Sequence, residues 1–197
     1  MKRRTLDVVL SVGGLMLAGL LLIAGLVLSS NATFANNYVA DQLSQQKITF
    51  KTAETLTDEE RAQACLVSYA GQALTTGKQA ECYANNFIGL HLGGIAGGKT
   101  YAELGDVQTQ LRTQIAEAQK NNAPNVADLQ KQLADTTTAR ETVFKGETLR
   151  GLLLSTYAWS TIGRIAGIAA TFAFVAGVAV MILVVLGFVH RSKTTPS

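Results

Sequence analysis

Two long apolar runs lie near the ends of the chain, and the residues between them are mostly polar. The first run, residues 8–29, contains no charge, and as a helix it would reach about 33 Å, enough to cross a hydrocarbon core of about 30 Å. The second run, residues 165–189, is also uncharged. Core helices of soluble proteins rarely stay apolar on every face beyond about 14 residues. The pattern therefore predicts two transmembrane helices, assigned to residues 8–29 and 162–189.

A cleavable signal peptide is the alternative interpretation of the first run. Lys2, Arg3 and Arg4 form a basic start, and Thr33-Phe34-Ala35 fits a small-x-small cleavage site. The apolar stretch is longer than the roughly 7–15 residues of a secretory signal, and the numbering begins at Met1. We therefore expect an uncleaved anchor. A mature protein that begins at Asn36 would contradict the two-pass prediction.

The distribution of charge predicts the orientation. Residues 1–7 and 190–197 each carry a net charge of +2, whereas residues 31–161 contain 11 basic and 13 acidic side chains. Positive flanks favour the cytoplasmic side. We therefore expect cytoplasmic termini at residues 1–7 and 190–197 and an extracytoplasmic domain over residues 30–161, in the plasma membrane. The net charge of +3 forms no basic stripe, so we expect no nucleic-acid partner.

The first half of the outer segment shows helical spacing with interruptions. The first helix should continue past the membrane to about Leu43, and residues 47–52 form either a short strand or an extended connector. Thr57-Asp-Glu-Glu60 matches a capping box and opens a predicted helix that reaches Tyr69. Gly71 and residues 75–77 interrupt it, and a further helix covers about residues 78–92.

The second half predicts a helical hairpin. A second capping box, Thr100-Tyr-Ala-Glu103, precedes apolar residues at spacings of three and four, and a break at residues 121–125 leads into a similar pattern. Residues 144–160 should form a helix that slides along the membrane surface and turns into the second span. The expected fold class is thus an all-α membrane protein, in which two transmembrane helices flank an external helical domain with a hairpin.

Cys65 and Cys82 fall on two neighbouring predicted helices. In the oxidising space that the orientation predicts, they should form a disulfide, which contributes on the order of 3 kcal/mol. A catalytic or metal-binding thiol is the alternative. His91 and His190 lie on opposite sides of the membrane in this topology, so they cannot share a metal. We expect no catalytic residue, cofactor or metal site, and therefore no enzyme.

Residues 93–100, Gly-Gly-Ile-Ala-Gly-Gly-Lys-Thr, match the letters of a phosphate-binding loop. The predicted location is outside the cell, and the outer segment has too few strands for the parallel sheet that this motif requires. We therefore expect a flexible turn capped by Thr100, without nucleotide binding.

The second predicted span carries features that suit a membrane helix. Tyr157 and Trp159 are aromatic anchors for the headgroup level, and Arg164 lies about one turn deeper. The Arg164 side chain can snorkel outward, or it can face a partner helix, a pore or an acidic group. Small residues that allow close helix packing occur in both spans, at Gly14, Ala18, Gly163, Gly167, Ala173 and Gly177.

Several stretches resemble a family of actinobacterial two-pass membrane proteins. They are Tyr83-Ala-Asn-Asn-Phe-Ile, His91-Leu92, residues 96–103 (Ala-Gly-Gly-Lys-Thr-Tyr-Ala-Glu), residues 144–154 (Phe-Lys-Gly-Glu-Thr-Leu-Arg-Gly-Leu-Leu-Leu) and Tyr157-Ala158. Some members of that family carry a ring-opening-dioxygenase label, which no set of iron ligands in this chain supports. The resemblance implies a plasma-membrane protein of a Gram-positive-type envelope.

These features lead us to expect a non-enzymatic accessory or scaffolding subunit. Its partners would be the lipid bilayer and the other subunits of a larger membrane complex, with a respiratory-chain assembly as one candidate. The alternative is a homo-oligomeric channel or pore built from two-pass subunits, with Arg164 at its mouth.

Overall fold

The computed structural model describes the backbone of residues 3–194 and the side chains of residues 7–189. All regular elements within this described part are helical, and its β pairing is limited to an isolated bridge between Thr49 and Ala73. The prediction of a helical chain with two long apolar helices is confirmed. The side chains of Arg3, Arg4 and residues 190–197, on which the charge rule relied, lie outside the described set, as does Lys2.

Two helices are long and apolar enough to cross a membrane. Helix α1 is Arg3–Gln45, and α7, the last helix, is Val126–Thr194. In each of them, only 11% of the most apolar 18-residue window is buried. The central helix of a soluble protein would have this window mostly covered by other elements, so the two helices differ from core helices in their exposure.

The chain divides into two compact units, which share these long helices. The first unit contains the residues up to Ala40 and those from Trp159 onward, and the second contains Asp41–Ala158. Residues 144–160 are helical as predicted, but the predicted turn between them and the second span is wrong, because α7 is continuous. Its sequence contains no proline, since the two prolines are at 124 and 196, and therefore no residue in it forces a break.

The first half of the second unit is a set of short helices around an apolar core. They are α2 (Asp58–Arg61), α3 (Ala64–Ser68), α4 (Gly77–Cys82), a π-helical segment (Tyr83–Ile88) and α5 (Gly89–Gly94). Leu66 and Leu74 are each 1% exposed, and the ring of Phe50 packs against Tyr69 and Tyr83. Residues 47–52 form the extended connector rather than a strand. Their pairing with the segment around Ala73 is limited to the isolated bridge and to single backbone hydrogen bonds, such as the one from Phe50 N to Gln72 O (2.9 Å).

Three capping boxes start helices in this unit. Two were predicted, at Thr57 with Glu60 and at Thr100 with Glu103. The third joins Thr76 to Gln79 at the start of α4, where the sequence predicted only an interruption. The predicted helix from 58 to 69 is divided between α2 and α3, and the predicted helix over 78–92 changes to π geometry in its middle.

The predicted hairpin is present. Helix α6 is Tyr101–Lys120, and residues 121–125 connect it to the start of α7. Leu104, Leu111 and Ile115 are buried along α6. The Gln108 side chain donates to the hydroxyl of Thr137 at 2.7 Å, which joins the two arms. The apolar seam of the hairpin is therefore covered within the chain itself.

Candidate functional site

Small residues form the contact between α1 and α7 in the first unit. A Cβ atom added at Gly14 would lie 2.6 Å from Val184, and one at Gly163 would lie 2.9 Å from the Cβ of Ala35. The early part of α1 thus faces the late part of α7, which makes the pair antiparallel. Such close approach needs residues without bulky side chains, as small-xxx-small faces provide.

The structure places most of the predicted packing residues at this contact. Ala18 is 0% exposed, and Cβ atoms at Gly167 and Gly177 would meet Ala32 (3.6 Å) and Leu22 (3.1 Å). Ala173 is only half-buried. The tightest aromatic contact was not predicted.

Gly25 of α1 makes this aromatic contact, with the ring of Phe174 on α7. A Cβ there would lie 2.9 Å from the ring of Phe174. Gly25 lies seven residues after Ala18, so the two small residues share one face of α1. This spacing is the sequence signal that could have identified Gly25 as a packing residue.

The outward faces of the same helices are apolar. Leu20 is 66% exposed and Phe172 is 72% exposed. Three polar side chains within this region bond to their own helix: Asn31 to Val27 O at 2.8 Å, Thr33 to Ser29 O at 3.0 Å and Thr171 to Gly167 O at 3.0 Å. Such internal bonding lets a polar side chain sit in an apolar solvent without losing a hydrogen bond.

Tyr157 and Trp159, the two aromatic residues predicted to lie at the headgroup level, belong to different units. Trp159 is 55% exposed in the first unit, whereas Tyr157 lies in the second, where the Lys78 ammonium is 4.9 Å above its ring. Arg164 is exposed and makes no hydrogen bond or ion pair with another described side chain. Because side chains on a helix tilt toward its N-terminus, the Arg164 side chain is directed back toward the level of Trp159.

Cys65 and Cys82 are joined in a disulfide, as the sequence predicted. Their Cα atoms are 6.0 Å apart, and the bond connects α3 to the end of α4. The amide of Asn86, in the π segment, donates to the Cys65 sulfur at 3.0 Å. The pair therefore fixes three short segments that bury little surface on their own.

The most buried polar group of the second unit is the Glu60 carboxylate, which is 0% exposed. Lys51 Nζ lies 2.7 Å from Oε1, and the backbone N–H of Thr57 donates to Oε2 at 2.8 Å. His91 Nε2 lies 3.3 Å from Oε1. Burial raises the pKa of Glu60, but the bonds from Lys51 and the Thr57 amide, with the charges of Lys51 and His91, outweigh it and hold the pKa below 4.5.

Aromatic rings cover this carboxylate cluster. Tyr83 stacks on Phe87 with centroids 4.6 Å apart, and Phe87 packs on His91 at 4.5 Å. The Lys51 ammonium is 5.5 Å from the Phe87 ring. Desolvation raises the pKa of the Tyr83 phenol, and the nearby Glu60 charge raises it further. The cluster was not predictable from the sequence, because its members come from three segments that only the folded chain brings together.

The Gly-rich loop lies between two helices. It follows α5, and Ala96, Gly97 and Gly98 have positive φ angles of 49°, 67° and 75°. The Thr100 hydroxyl takes part in the capping box, where Glu103 N donates to it at 3.3 Å. A phosphate-binding loop follows a strand and uses this hydroxyl for magnesium, so the structural context of that motif is missing.

An open cavity of about 510 Å³ borders this loop. Leu92 and Val143 contribute apolar walls, and Lys99 and Glu147 line it as groups of opposite charge. Within the described residues, no group of three or more His, Cys, Asp or Glu side chains is placed to hold a metal ion.

Comparison with family models, curated proteins and solved structures finds no match to this chain.

Proposed function

We propose that this protein is a two-pass integral membrane protein of the plasma membrane. The observation that carries the proposal is the exposure of large apolar side chains around a helix pair whose windows are only 11% buried. In water, an apolar surface of this extent would favour aggregation, whereas lipid tails are a suitable solvent for it. The internal bonding of Asn31 and Thr171 suits the same environment.

The proposed orientation has both termini in the cytoplasm and residues 30–161 outside. The antiparallel pairing of α1 and α7 supports termini on one side. The basic residues at both ends support the cytoplasmic side for them. The Cys65–Cys82 disulfide supports an oxidising compartment for the segment between the spans.

Within the membrane, the role we propose is that of a non-enzymatic accessory or scaffolding subunit. Its binding surfaces would be the exposed faces of the spans and the polar outer surface of the hairpin. The resemblance to actinobacterial two-pass proteins supports a Gram-positive-type envelope, and a respiratory-chain assembly is one candidate host.

The span composition favours this role over a channel. Between Val8 and Ala40 and between Ile165 and Val189, the sequence has no charged residue. A pore lined by these ranges would offer an ion no charged ligand, and Asn31, Thr33 and Thr171 already bond to backbone carbonyls of their own helices. An accessory subunit needs only apolar and small-residue contact surfaces.

Purification of the tagged chain from its own membranes in mild detergent tests the role. Native mass spectrometry should show defined foreign subunits in fixed stoichiometry. A ring made of this chain alone would favour the channel, and a stable monomer would contradict both functions.

Arg164→Leu separates the two functions further. If Arg164 snorkels to the surface, the variant should insert and assemble like the wild type, as measured by membrane recovery and complex mass. Loss of assembly or of ion conductance in liposomes would instead place Arg164 at a partner or a pore.

A further inference from the structure

The open cavity beside the Gly-rich loop lies wholly within the second unit. Its volume of about 510 Å³ falls within the roughly 300–1,000 Å³ of small-molecule pockets. Leu92, Ala102 and Val143 give it apolar walls. Tyr101 also lines it, and the Tyr101 ring packs against that of Phe144 with centroids 5.6 Å apart. A cavity with these walls suits the apolar body of a small organic ligand.

Contacts within the chain hold the walls of this cavity in place. Leu92 of α5 packs on α7 so closely that a Cβ at Gly146 would lie 2.5 Å from the Leu92 side chain. The start of α6 is also attached to α7, because Arg140 Nε donates to the Tyr101 carbonyl oxygen at 3.1 Å and the guanidinium lies 4.0 Å from the Tyr101 ring. The cavity is therefore formed before a ligand binds, which lowers the entropic cost of binding.

Two side chains of opposite charge line the cavity, and they differ in their pairing. Glu147 lies 3.3 Å from Arg150 Nη1. Lys99, by contrast, has no carboxylate oxygen within 4 Å of its ammonium among the described side chains. The capping bonds from Thr100 lower the pKa of Glu103, and the Lys99 charge lowers it further, but Glu103 Oε2 is occupied by those capping bonds at 2.7 Å each. Lys99 is thus the charged group that is open to a ligand.

We propose that this cavity binds a small organic monocarboxylate, with its apolar body against Leu92 and Val143 and its carboxylate at Lys99. One negative charge on the ligand matches the one unpaired ammonium. The Glu147 carboxylate on the same cavity repels an anion of higher charge, such as a nucleotide. The inference goes beyond the proposed accessory role and does not depend on it, because every lining residue belongs to the second unit.

Fluorine NMR of para-fluorophenylpropanoate, titrated with the full chain in one mild detergent, tests the proposal. The wild type should broaden the fluorine line saturably. Gly93→Leu should abolish the saturable broadening, because Gly93 lines the cavity and a Cβ there meets no atom within 4 Å, so the new side chain can occupy the space.

Gly94→Leu is the matched control. Gly94 is the next residue of α5, and a Cβ there also meets no atom within 4 Å, but Gly94 is not among the described residues that line the cavity. This variant should bind the acid like the wild type. Partition of the acid into detergent is the same for both variants, so the difference between them reports the cavity alone.

Lys99→Gln tests the charge. It should weaken binding of the acid about two- to fivefold, the range of an exposed ion pair, and Lys99→Arg should restore binding. The uncharged para-fluorophenylpropanol should bind equally to the wild type and to Lys99→Gln. The Lys99 variants keep the proposal falsifiable if Gly93→Leu does not fold. No saturable binding by the wild type, unchanged binding by a folded Gly93→Leu or by Lys99→Gln, or tighter binding of para-fluorophenylpropylamine than of the acid would overturn the proposal.

Discussion

The two units of the chain are each stabilised by a different kind of internal packing, although α1 and α7 run through both. In the first unit, large apolar side chains point outward and small residues make the contacts, as at Gly163 against Ala35. In the second unit, a core that contains Leu66 and Leu74, each 1% exposed, is reinforced by a disulfide and a buried carboxylate. The helices thus change from close backbone packing to a water-excluding core, which is the difference expected between a lipid-facing and a water-facing region.

The largest expected effect is the loss of the disulfide. Cys65→Ser with Cys82→Ser should destabilise the second unit by about 3 kcal/mol, because the bond closes a loop between residues 17 apart. Hydrogen exchange of residues 60–90 measures this. Trp159, in the first unit, should keep its fluorescence spectrum. Equal loss of structure in both units would contradict the comparison.

A bulky residue at Gly25 should separate the helix pair. The side chain of Gly25→Leu would collide with the Phe174 ring and should destabilise the pair by about 1–3 kcal/mol. Gly19→Leu is the matched control on α1, where a Cβ meets nothing within 4 Å. Unfolding by sodium dodecyl sulfate in mixed micelles measures both variants. Equal effects would show that the small-residue contact does not hold the pair.

Acid should act on the second unit through Glu60. Because its pKa in the folded chain is lower than the ordinary 4.5, the ionised carboxylate stabilises the fold above that pH, and the contribution is lost as the pH falls through the lowered value. Glu60→Gln should remove this dependence and reduce stability near neutral pH by about 1.5 kcal/mol, since Lys51 loses a charged partner.

Urea unfolding of the second unit at a series of pH values measures the acid effect, with exposed Glu117→Gln as the control. A Glu60→Gln variant that retains the acid dependence of the wild type would disprove the role of this carboxylate.

The smallest expected effect concerns a helix cap. Thr100→Ala removes the capping box of α6 and should cost about 1 kcal/mol. Thr113→Ala, on the same helix, removes only a bond to Thr109 O and serves as the control. Hydrogen exchange at the first turn of α6 distinguishes them. If the two variants behaved alike, the cap would have no measurable role.

Local signals in the sequence were sufficient for much of the fold. The apolar runs, the capping boxes at Thr57 and Thr100, and the break at residues 121–125 each depend on a few adjacent residues. The disulfide was predictable, because the chain has only two cysteines. The Thr76 box used Gln rather than Glu and was overlooked although its pattern is visible.

Features that depend on distant residues were not predictable. The capping-box pattern predicts that Glu60 accepts the Thr57 N–H, and it does, but its contacts with Lys51 and His91 arise only from tertiary packing. The continuity of α7 was missed because Tyr157 and Trp159 were assigned to the headgroup level, which placed a turn between residues 144–160 and the second span. Aromatic residues do not interrupt a helix.

Bilayer depth measured by tryptophan quenching tests the central proposal most directly. The chain has one tryptophan, Trp159, which is 55% exposed. In vesicles of brominated lipids, Trp159 should be quenched most by bromines near the headgroups. In Trp159→Phe with Val178→Trp, where Val178 is 51% exposed in the middle of the second apolar run, the deepest bromines should quench most. If neither tryptophan were quenched by bromines at any depth, the result would contradict a membrane-spanning helix pair.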